Sequence, residues 1–408
     1  MNFGLLGRKL GHSYSPQIHT QLGSYTYKLY EYEPENIETF LKNGQFTGLN
    51  VTTPYKKAVI RLCTELSPTA KKLGAVNTIV RQSDGGLIGH NTDYYGFQST
   101  LAESGLSVSG KKALILGSGG ASATVVAVLQ ELGADVTIIS RTGDNNYSNL
   151  EKHADAVLIV NATPVGMYPD TDVAPVSLDW FPKLEGVIDL IYNPARTRLL
   201  QQAEERGLIT QNGLWMLIAQ AKESAEWFTG TKIPNDRIRQ IYKQLNVMTS
   251  NIILIGMPGS GKTTIGKILA KITGRKFLDT DTYLEETVNM KIPDIFAKYG
   301  ENYFRNLETE ALAKLCKLSG SVIATGGGCV TRTENYPLLH QNGTIVWVQR
   351  DLTSLSTKGR PLSQSGNLSD MYLSRMPFYN EFSDMTVQNN SDPETVAAEI
   401  LSRLQMEV

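Results

Sequence analysis

Gly256-Met257-Pro258-Gly259-Ser260-Gly261-Lys262-Thr263 fits the pattern G-x-x-x-x-G-K-[ST] in full. Glycines at this spacing let backbone amides converge on phosphate oxygens, and a helix that follows adds its positive end. Lys262 suits the β- and γ-phosphates of a nucleoside triphosphate, and the Thr263 hydroxyl suits Mg2+. The residues around the loop narrow the reaction. Phe277-Leu278-Asp279-Thr280-Asp281 is expected to put two carboxylates on one face of a strand end. One of them suits a metal shell and the other a proton leaving a hydroxyl. Arg305, in GENYFRNLE, offers a fork for a carboxylate. Gly326-Gly327-Gly328 follows the strand-like SVIAT and lets a small ligand approach the backbone. Arg360, in KGRPL, is suited to close over phosphates, and Arg375, in SRMPFYNE, is a second anion ligand. Together these groups describe phosphoryl transfer to a small anionic acceptor.

A second chemistry lies upstream. Gly117-Ser118-Gly119-Gly120-Ala121-Ser122 is a glycine loop that departs from G-x-G-x-x-G only in its last position, where a small Ser122 still allows close helix–sheet packing. The next strand-like run, ADVTIIS, ends in Ser140-Arg141-Thr142. An arginine and two hydroxyls there, in place of an acid, suit a 2′-phosphate and hence NADP(H). Lys56, in GLNVTTPYK, and Asp93, in GHNTD, are candidates for an acid–base pair that moves the proton accompanying a hydride. Ser13 and Ser15, in HSYSP, place two hydroxyls two residues apart, a set suited to a carboxylate. His12 and His19 have no third partner at metal-site spacing, so a metal there is rejected.

The elements that must position these groups follow from the apolar pattern. KKALILGSGGASATVVAVLQELG from Lys111 and NIILIGMPGSGKTTIGKILAKITG from Asn251 each read as a buried parallel strand, a glycine turn and a helix closed by Gly133 or Gly274. Their glycine patterns differ, so they are two nucleotide folds and not a repeat. The main boundary is expected near 246–250. Ahead of it, residues 1–98 form one lobe, to which the helical stretch 213–247 returns, and residues 99–212 form a second, with a cleft between them. The 408 residues carry 39 basic and 40 acidic side chains, net charge −1, which argues against a nucleic-acid partner. Cys63, Cys316 and Cys329 are too few and too scattered for a disulfide framework. No apolar run approaches the roughly 18 residues of a membrane span, and no charged leader opens the chain. A cytoplasmic enzyme without a membrane partner is the expectation; the sequence leaves the oligomeric state open.

Two resemblances organise these observations. Residues 250–408 resemble shikimate kinase through the phosphate loop, FLDTD, IFAKYGENYFRNLE, TGGG, GRPL and RMPFY. The resemblance implies a P-loop domain with a parallel sheet, with Gly259, Ser260, Gly261, Lys262, Thr263, Thr264 and Arg360 on ATP. It gives Mg2+ to Thr263 and Asp279, and shikimate to Asp281 (the base), Arg305, Gly327, Gly328 and Arg375. Lys262 and Arg360 would stabilise the charge in transfer. The stretch LTSLSTKGRPLSQSGNLSD is polar and short for the family's lid. Residues 1–247 resemble shikimate dehydrogenase through HSYSP, NVTTPYK, GAVNT, GHNTD, GSGGAS, SRT, NATPVGM, DLIYNP and GLWMLIAQA. This implies a two-lobed α/β enzyme with a Rossmann-type NADP lobe and Lys56 and Asp93 as the catalytic pair. Ser13, Ser15, Asn50, Thr52, Asn77, Asp93, Tyr192 and Gln220 would hold substrate. Gly117, Gly119, Gly120, Ala121, Arg141, Thr142, Thr163 and Gly213 would hold NADP. The joint reading is a fusion that reduces 3-dehydroshikimate with NADPH and phosphorylates the resulting shikimate from ATP. Its rivals are a quinate/shikimate dehydrogenase fused to the kinase, and a dehydrogenase-like half that senses ligand without catalysis.

Overall fold

The computed structural model describes residues 1–11, 13–355 and 368–406. Arg360, and with it the expected lid, lies outside the described residues, as does His12. The chain divides into two compact units. The first is Met1–Gly166, Asp172–Tyr192 and Gln202–Tyr242; the second is Met167–Thr171, Asn193–Gln201 and Lys243–Val408. Passage from one to the other falls inside the helix Asp236–Thr249. The stretch 193–201 belongs to the second unit through hydrogen bonds: Arg196 N–H donates to the Gln341 carbonyl at 2.9 Å, and Ala195 N–H to Asn342 Oδ1 at 2.8 Å.

The first unit holds two sheets. One contains β1 (Asn2–Gly7), β2 (Thr26–Glu31), β3 (Gly48–Val51), β4 (Glu65–Leu66), β5 (Thr78–Arg81) and β6 (Leu87–His90) in the order β2-β1-β3-β5-β6-β4. It is mixed: β3 and β6 both run antiparallel to β5. The second sheet, β11-β10-β9-β7-β8, is built from β7 (Lys112–Leu116), β8 (Asp135–Ile139), β9 (Leu158–Asn161), β10 (Gly186–Asp189) and β11 (Ile209–Gln211). All its pairings are parallel, the architecture expected around the first glycine loop. Ile115, Val125, Val128, Leu129 and Val160 pack the helix Gly120–Glu131 onto this sheet.

The second unit holds β12 (Asn251–Ile255), β13 (Lys276–Asp279), β14 (Ser321–Ala324), β15 (Gly343–Gln349) and β16 (Met385–Gln388), ordered β13-β14-β12-β15-β16 and wholly parallel. Alternate side chains explain the continuous apolar runs. Ile253, Ile255, Ile323, Ile345 and Trp347 enter one core, whereas Ile252, Leu254, Val322, Val346 and Val348 enter the other. Both faces are therefore covered, as a parallel sheet requires. Residues 292–315 form two helical segments that meet at Gly300, whose φ of 80° is costly for any other residue. The second segment carries Arg305 and Glu308.

Candidate active sites

A cavity of about 430 Å3 in the first unit is lined by residues of both lobes, among them Ser13, Ser15, Asn50, Thr52, Lys56, Asn77, Asp93, Tyr192 and Gln220. Strand ends supply most of them. Asn50 lies on β3, Asn77 just precedes β5, and Asp93 opens the helix Asp93–Ser104 after β6. Lys56 Nζ donates to Asp93 Oδ2 at 2.6 Å, and both side chains remain partly accessible to the cavity. Asn77 Nδ2 donates to the other oxygen of Asp93 at 2.9 Å, while its own Oδ1 accepts the Thr92 N–H at 2.7 Å. Its amide therefore cannot turn over without breaking both bonds, and it holds the carboxylate edge-on to the ammonium. Ser13 Oγ donates to Ser15 Oγ at 3.0 Å, which keeps the two hydroxyls together. Tyr192 sits beside them, with its ring 5.6 Å from that of Tyr14. Burial, with a contribution from Tyr14, raises the Tyr192 phenol above its ordinary pKa and keeps it a donor. The pattern is a small polar pocket with one close ammonium–carboxylate pair, suited to proton transfer on a hydroxylated acid.

The first glycine loop lies at the carboxyl ends of the parallel strands, where α/β sheets bind ligands. Gly117 follows β7, Gly119 caps the helix Gly120–Glu131, and Gly119 and Gly120 are both exposed. Thr163 stands against Gly117, so the loop after β9 packs on the loop after β7. Thr163 donates to Asn161 Oδ1 at 2.7 Å, and Asn161 Nδ2 donates to Asp189 Oδ1 at 3.0 Å, which ties in the end of β10. Arg141 and Thr142 are exposed just after β8, with no acid at 140–142. Space above Gly119 and Gly120, a helix N-terminus and an exposed arginine fit a dinucleotide carrying a 2′-phosphate. Ala121 and Gly213 line the Lys56 cavity itself, placing the cofactor loop against the substrate pocket.

The second unit has a cavity of about 530 Å3, lined by Gly259, Gly261, Lys262, Thr263 and Thr264 at the phosphate loop and by Asp279, Asp281, Arg305, Gly327, Gly328 and Arg375. Ser260 is fully buried, and its carbonyl accepts from Asn389 Nδ2 at 2.6 Å, which anchors the loop to the end of β16. Gly261 has φ 97° and lies against that amide, so a side chain fits neither the backbone nor the space. Lys262 Nζ donates to the carbonyls of Gly256 at 2.8 Å and Met257 at 3.0 Å. Thr263 Oγ1 donates to Asp279 Oδ2 at 3.0 Å, and this hydroxyl–carboxylate pair is an oxygen donor set that fits Mg2+. Among the described residues there is no cluster of three or more His, Cys, Asp or Glu able to hold a metal alone.

The FLDTD carboxylates differ from expectation in one respect. Asp279 ends β13, but its Oδ1 accepts from the N–H groups of Asp281 and Thr282 and so starts the helix Thr280–Val288. Asp281 therefore projects from a first helical turn and not from a strand face; both carboxylates still line the cavity. Burial, reinforced by Glu308 and Asp279, pushes the Asp281 carboxyl up to about 7. Arg305 is held by Glu308 Oε2 at 2.7 Å and by Glu301 Oε1 at 2.9 Å and 3.2 Å. These bonds use three of its five N–H groups, so each terminal nitrogen keeps a donor for an anion in the cavity. Its guanidinium presses on Gly328, a close approach that leaves no room for a Cβ. Arg375 Nη1 and Tyr379 Oη both donate to the Gly327 carbonyl, at 3.3 Å and 2.5 Å.

Comparison with known proteins decides the family. Residues 5–79 match the model of the shikimate dehydrogenase substrate binding domain, and residues 258–405 match that of shikimate kinase. The NADP-dependent shikimate dehydrogenase of Clostridium perfringens is 35% identical over 265 residues, covering 60% of this chain and 97% of that protein. The chain belongs to the shikimate dehydrogenase family. Its later residues carry a shikimate kinase domain, so it is a fusion of two shikimate-pathway enzymes. Among solved structures, shikimate dehydrogenase 1 of Peptoclostridium difficile is 38% identical with a TM-score of 0.56, covering 60% of this chain and 98% of that one. The Thermus thermophilus shikimate dehydrogenase, solved with NADP(H) and shikimate, is 32% identical with a TM-score of 0.55, over 60% and 99%.

The structure also brings in residues that the sequence reading passed over. In the dehydrogenase half, Tyr27, Thr78, Thr92 and Ser224 form the layer behind Asn50 and Asn77. In the kinase half Glu308 is fully buried, and its carboxylate lies against Gly326 together with that of Asp281. The three-residue spacing from Arg305 to Glu308 on a helix was the available signal for it.

Proposed function

We propose that the dehydrogenase half works in the reductive direction, converting 3-dehydroshikimate to shikimate, and that the kinase half then phosphorylates the shikimate 3-hydroxyl to give shikimate 3-phosphate and ADP. The observation that carries this reading is the 2.6 Å Lys56–Asp93 pair in a cavity bordered by the cofactor loop. NADPH, when bound along Gly117–Ala121 with its 2′-phosphate on Arg141 and Thr142, supplies the hydride. Lys56 gives the carbonyl oxygen its proton as that oxygen becomes a hydroxyl, and Asp93 keeps the ammonium oriented. Ser13, Ser15 and Tyr192 take the substrate carboxylate; Asn50, Thr52, Asn77 and Gln220 face its hydroxyls.

In the kinase half, Arg305 and Arg375 take the same carboxylate and leave the 3-hydroxyl toward Asp281. Asp281 accepts the hydroxyl proton while the oxygen bonds to the γ-phosphorus and ADP departs. Lys262 and the loop amides offset the phosphate charge, and Thr263 with Asp279 would hold Mg2+. The functional boundaries we assign are 1–247 and 250–408, and the compartment we assign is the cytoplasm. Among the described residues no helix is long and apolar enough to cross a membrane.

Product analysis by mass spectrometry tests the reading. Purified protein given 3-dehydroshikimate and NADPH should yield shikimate, and should yield shikimate 3-phosphate once Mg-ATP is added. Reduction of 3-dehydroquinate at comparable kcat/KM would instead favour a quinate/shikimate dehydrogenase.

A further inference from the structure

Helix Leu214–Thr229 carries Gln220 into the substrate cavity, and one turn later it carries Ser224, which is fully buried and does not line that cavity. Four polar groups converge on the Ser224 hydroxyl. Its Oγ is 2.9 Å from the Gln220 carbonyl, 2.8 Å from Asn50 Nδ2, 2.8 Å from Thr78 Oγ1 and 2.9 Å from Thr92 Oγ1. A hydroxyl has one proton and two lone pairs. With the proton on the Gln220 carbonyl, Ser224 accepts from the Asn50 amide and from one threonine. Both threonines also lie within reach of Asn77 Oδ1, at 3.1 Å from Thr78 and 3.2 Å from Thr92, so the second donates there.

The far end of Asn50 is fixed as well. Its Oδ1 accepts from Tyr27 Oη at 2.8 Å, and burial holds the Tyr27 phenol well above its ordinary pKa, so it stays a donor. The His19 ring stacks on Tyr27 with centroids 3.9 Å apart and keeps that hydroxyl in place. Asn50 thus has a donor group at one end and Ser224 at the other, and its amide has one orientation. Both of its N–H bonds point inward, to Ser224 and to Thr78 Oγ1 at 3.2 Å. What a ligand in the cavity can meet is Oδ1, an acceptor for a substrate hydroxyl that is shared with Tyr27 and, more weakly, with His19.

We propose that Ser224 is a positioning residue of the dehydrogenase site: it sets the direction of the Asn50 amide and so makes Asn50 a hydroxyl acceptor. The proposal rests on reading this cavity as the shikimate site. Losing the hydroxyl removes one of the partners that distinguish the two ends of the amide, Tyr27 being another, and leaves a buried N–H without its shortest acceptor.

The test is steady-state kinetics of the full-length protein with Ser224→Ala, Ser224→Thr, Asn50→Ala and the Ser224→Ala/Asn50→Ala double variant. Ser224→Ala should raise KM for shikimate about tenfold, the scale of one buried hydrogen bond. KM for NADP and the kinase kcat should stay within twofold of wild type, and Ser224→Thr, which keeps the hydroxyl, should recover most of the loss. In the Asn50→Ala background, Ser224→Ala should add less than twofold, because the residue acts through that amide. The proposal is overturned if KM for shikimate is unchanged in Ser224→Ala, or if the two effects multiply in the double variant. It is overturned too if KM for shikimate and NADP rise together with a lower melting temperature, the mark of a merely structural residue. Asn50→Ala leaving KM for shikimate unchanged would remove the cavity assignment itself, and Ser224 with it.

Discussion

Lys56 and Asp93 come from different strand ends 37 residues apart in sequence, and only the fold brings the ammonium 2.6 Å from the carboxylate. If Lys56 delivers the proton, Lys56→Ala should lower dehydrogenase kcat by about 10²–10⁴-fold. The kinase rate of the same preparation should be unaffected; NADPH oxidation within several-fold of wild type would assign the acid elsewhere. Asp281→Asn should give the mirror result, with ADP release from added shikimate falling about 10²–10⁴-fold and hydride transfer intact. At the cofactor, Arg141 stands exposed after β8 where an acid would select NAD. Arg141→Ala should raise KM for NADPH about tenfold, the scale of a charge-assisted hydrogen bond, with KM for NADH little changed. Equal losses for both cofactors would place the 2′-phosphate away from Arg141. These groups were legible in the sequence because their motifs carry them: the lysine of NVTTPYK, the acid of GHNTD, the arginine of SRT. Tyr27, Ser224 and Glu308 were not, because each is polar by type and earns its role only from what the folded chain places against it.

Single elements do more than one task. On helix Leu214–Thr229, Gln220 lines the dehydrogenase cavity and Ser224 bonds to Asn50 behind it, while Lys222, Glu223 and Glu226 line a separate pocket with Tyr95, Lys232 and Asn235. Glu226 is paired with Lys222 at 2.9 Å and Lys232 at 3.0 Å. Burial, with the neighbouring Glu226 charge, pushes the Glu223 carboxyl up from 4.5 to about 7. The folded protein therefore keeps a proton there that the unfolded chain has released, and stability falls as pH rises from about 4.5 through about 7. Glu223→Gln removes that cost. The temperature of half-inactivation of the dehydrogenase should rise for this variant at pH 8 and stay level with wild type near pH 4.5; an equal shift at both values would contradict the assignment. Element types were read well where apolar runs were long, as in β7 and β12 with their helices. The FLDTD spacing, two acids two residues apart, suits one face of a strand end. The capping bonds that Asp279 accepts from the N–H groups of Asp281 and Thr282, a local side-chain effect, end the strand at Asp279 and put Asp281 on a helix.

Taken whole, the chain carries two α/β catalytic units, each with its cavity lined by its own residues. The two cavities offer different chemistry to the small anionic, hydroxylated molecule proposed for both: paired serines and amides line one, and two arginines beside buried carboxylates line the other. Among the described residues, those that line each cavity belong to a single unit, so the lesions described above should separate the two activities cleanly. On the proposed reading, what joins them is the metabolite, which leaves the first reaction as the acceptor of the second. The most direct measurement is a single reaction containing purified protein, 3-dehydroshikimate, NADPH and Mg-ATP, with NADPH loss and ADP release recorded together. The account predicts NADPH oxidation from the start, ADP release after a lag, and no ADP when NADPH is withheld. ADP release that needs no NADPH, or that occurs only when shikimate is supplied, would contradict the claim that one chain performs both steps in that order.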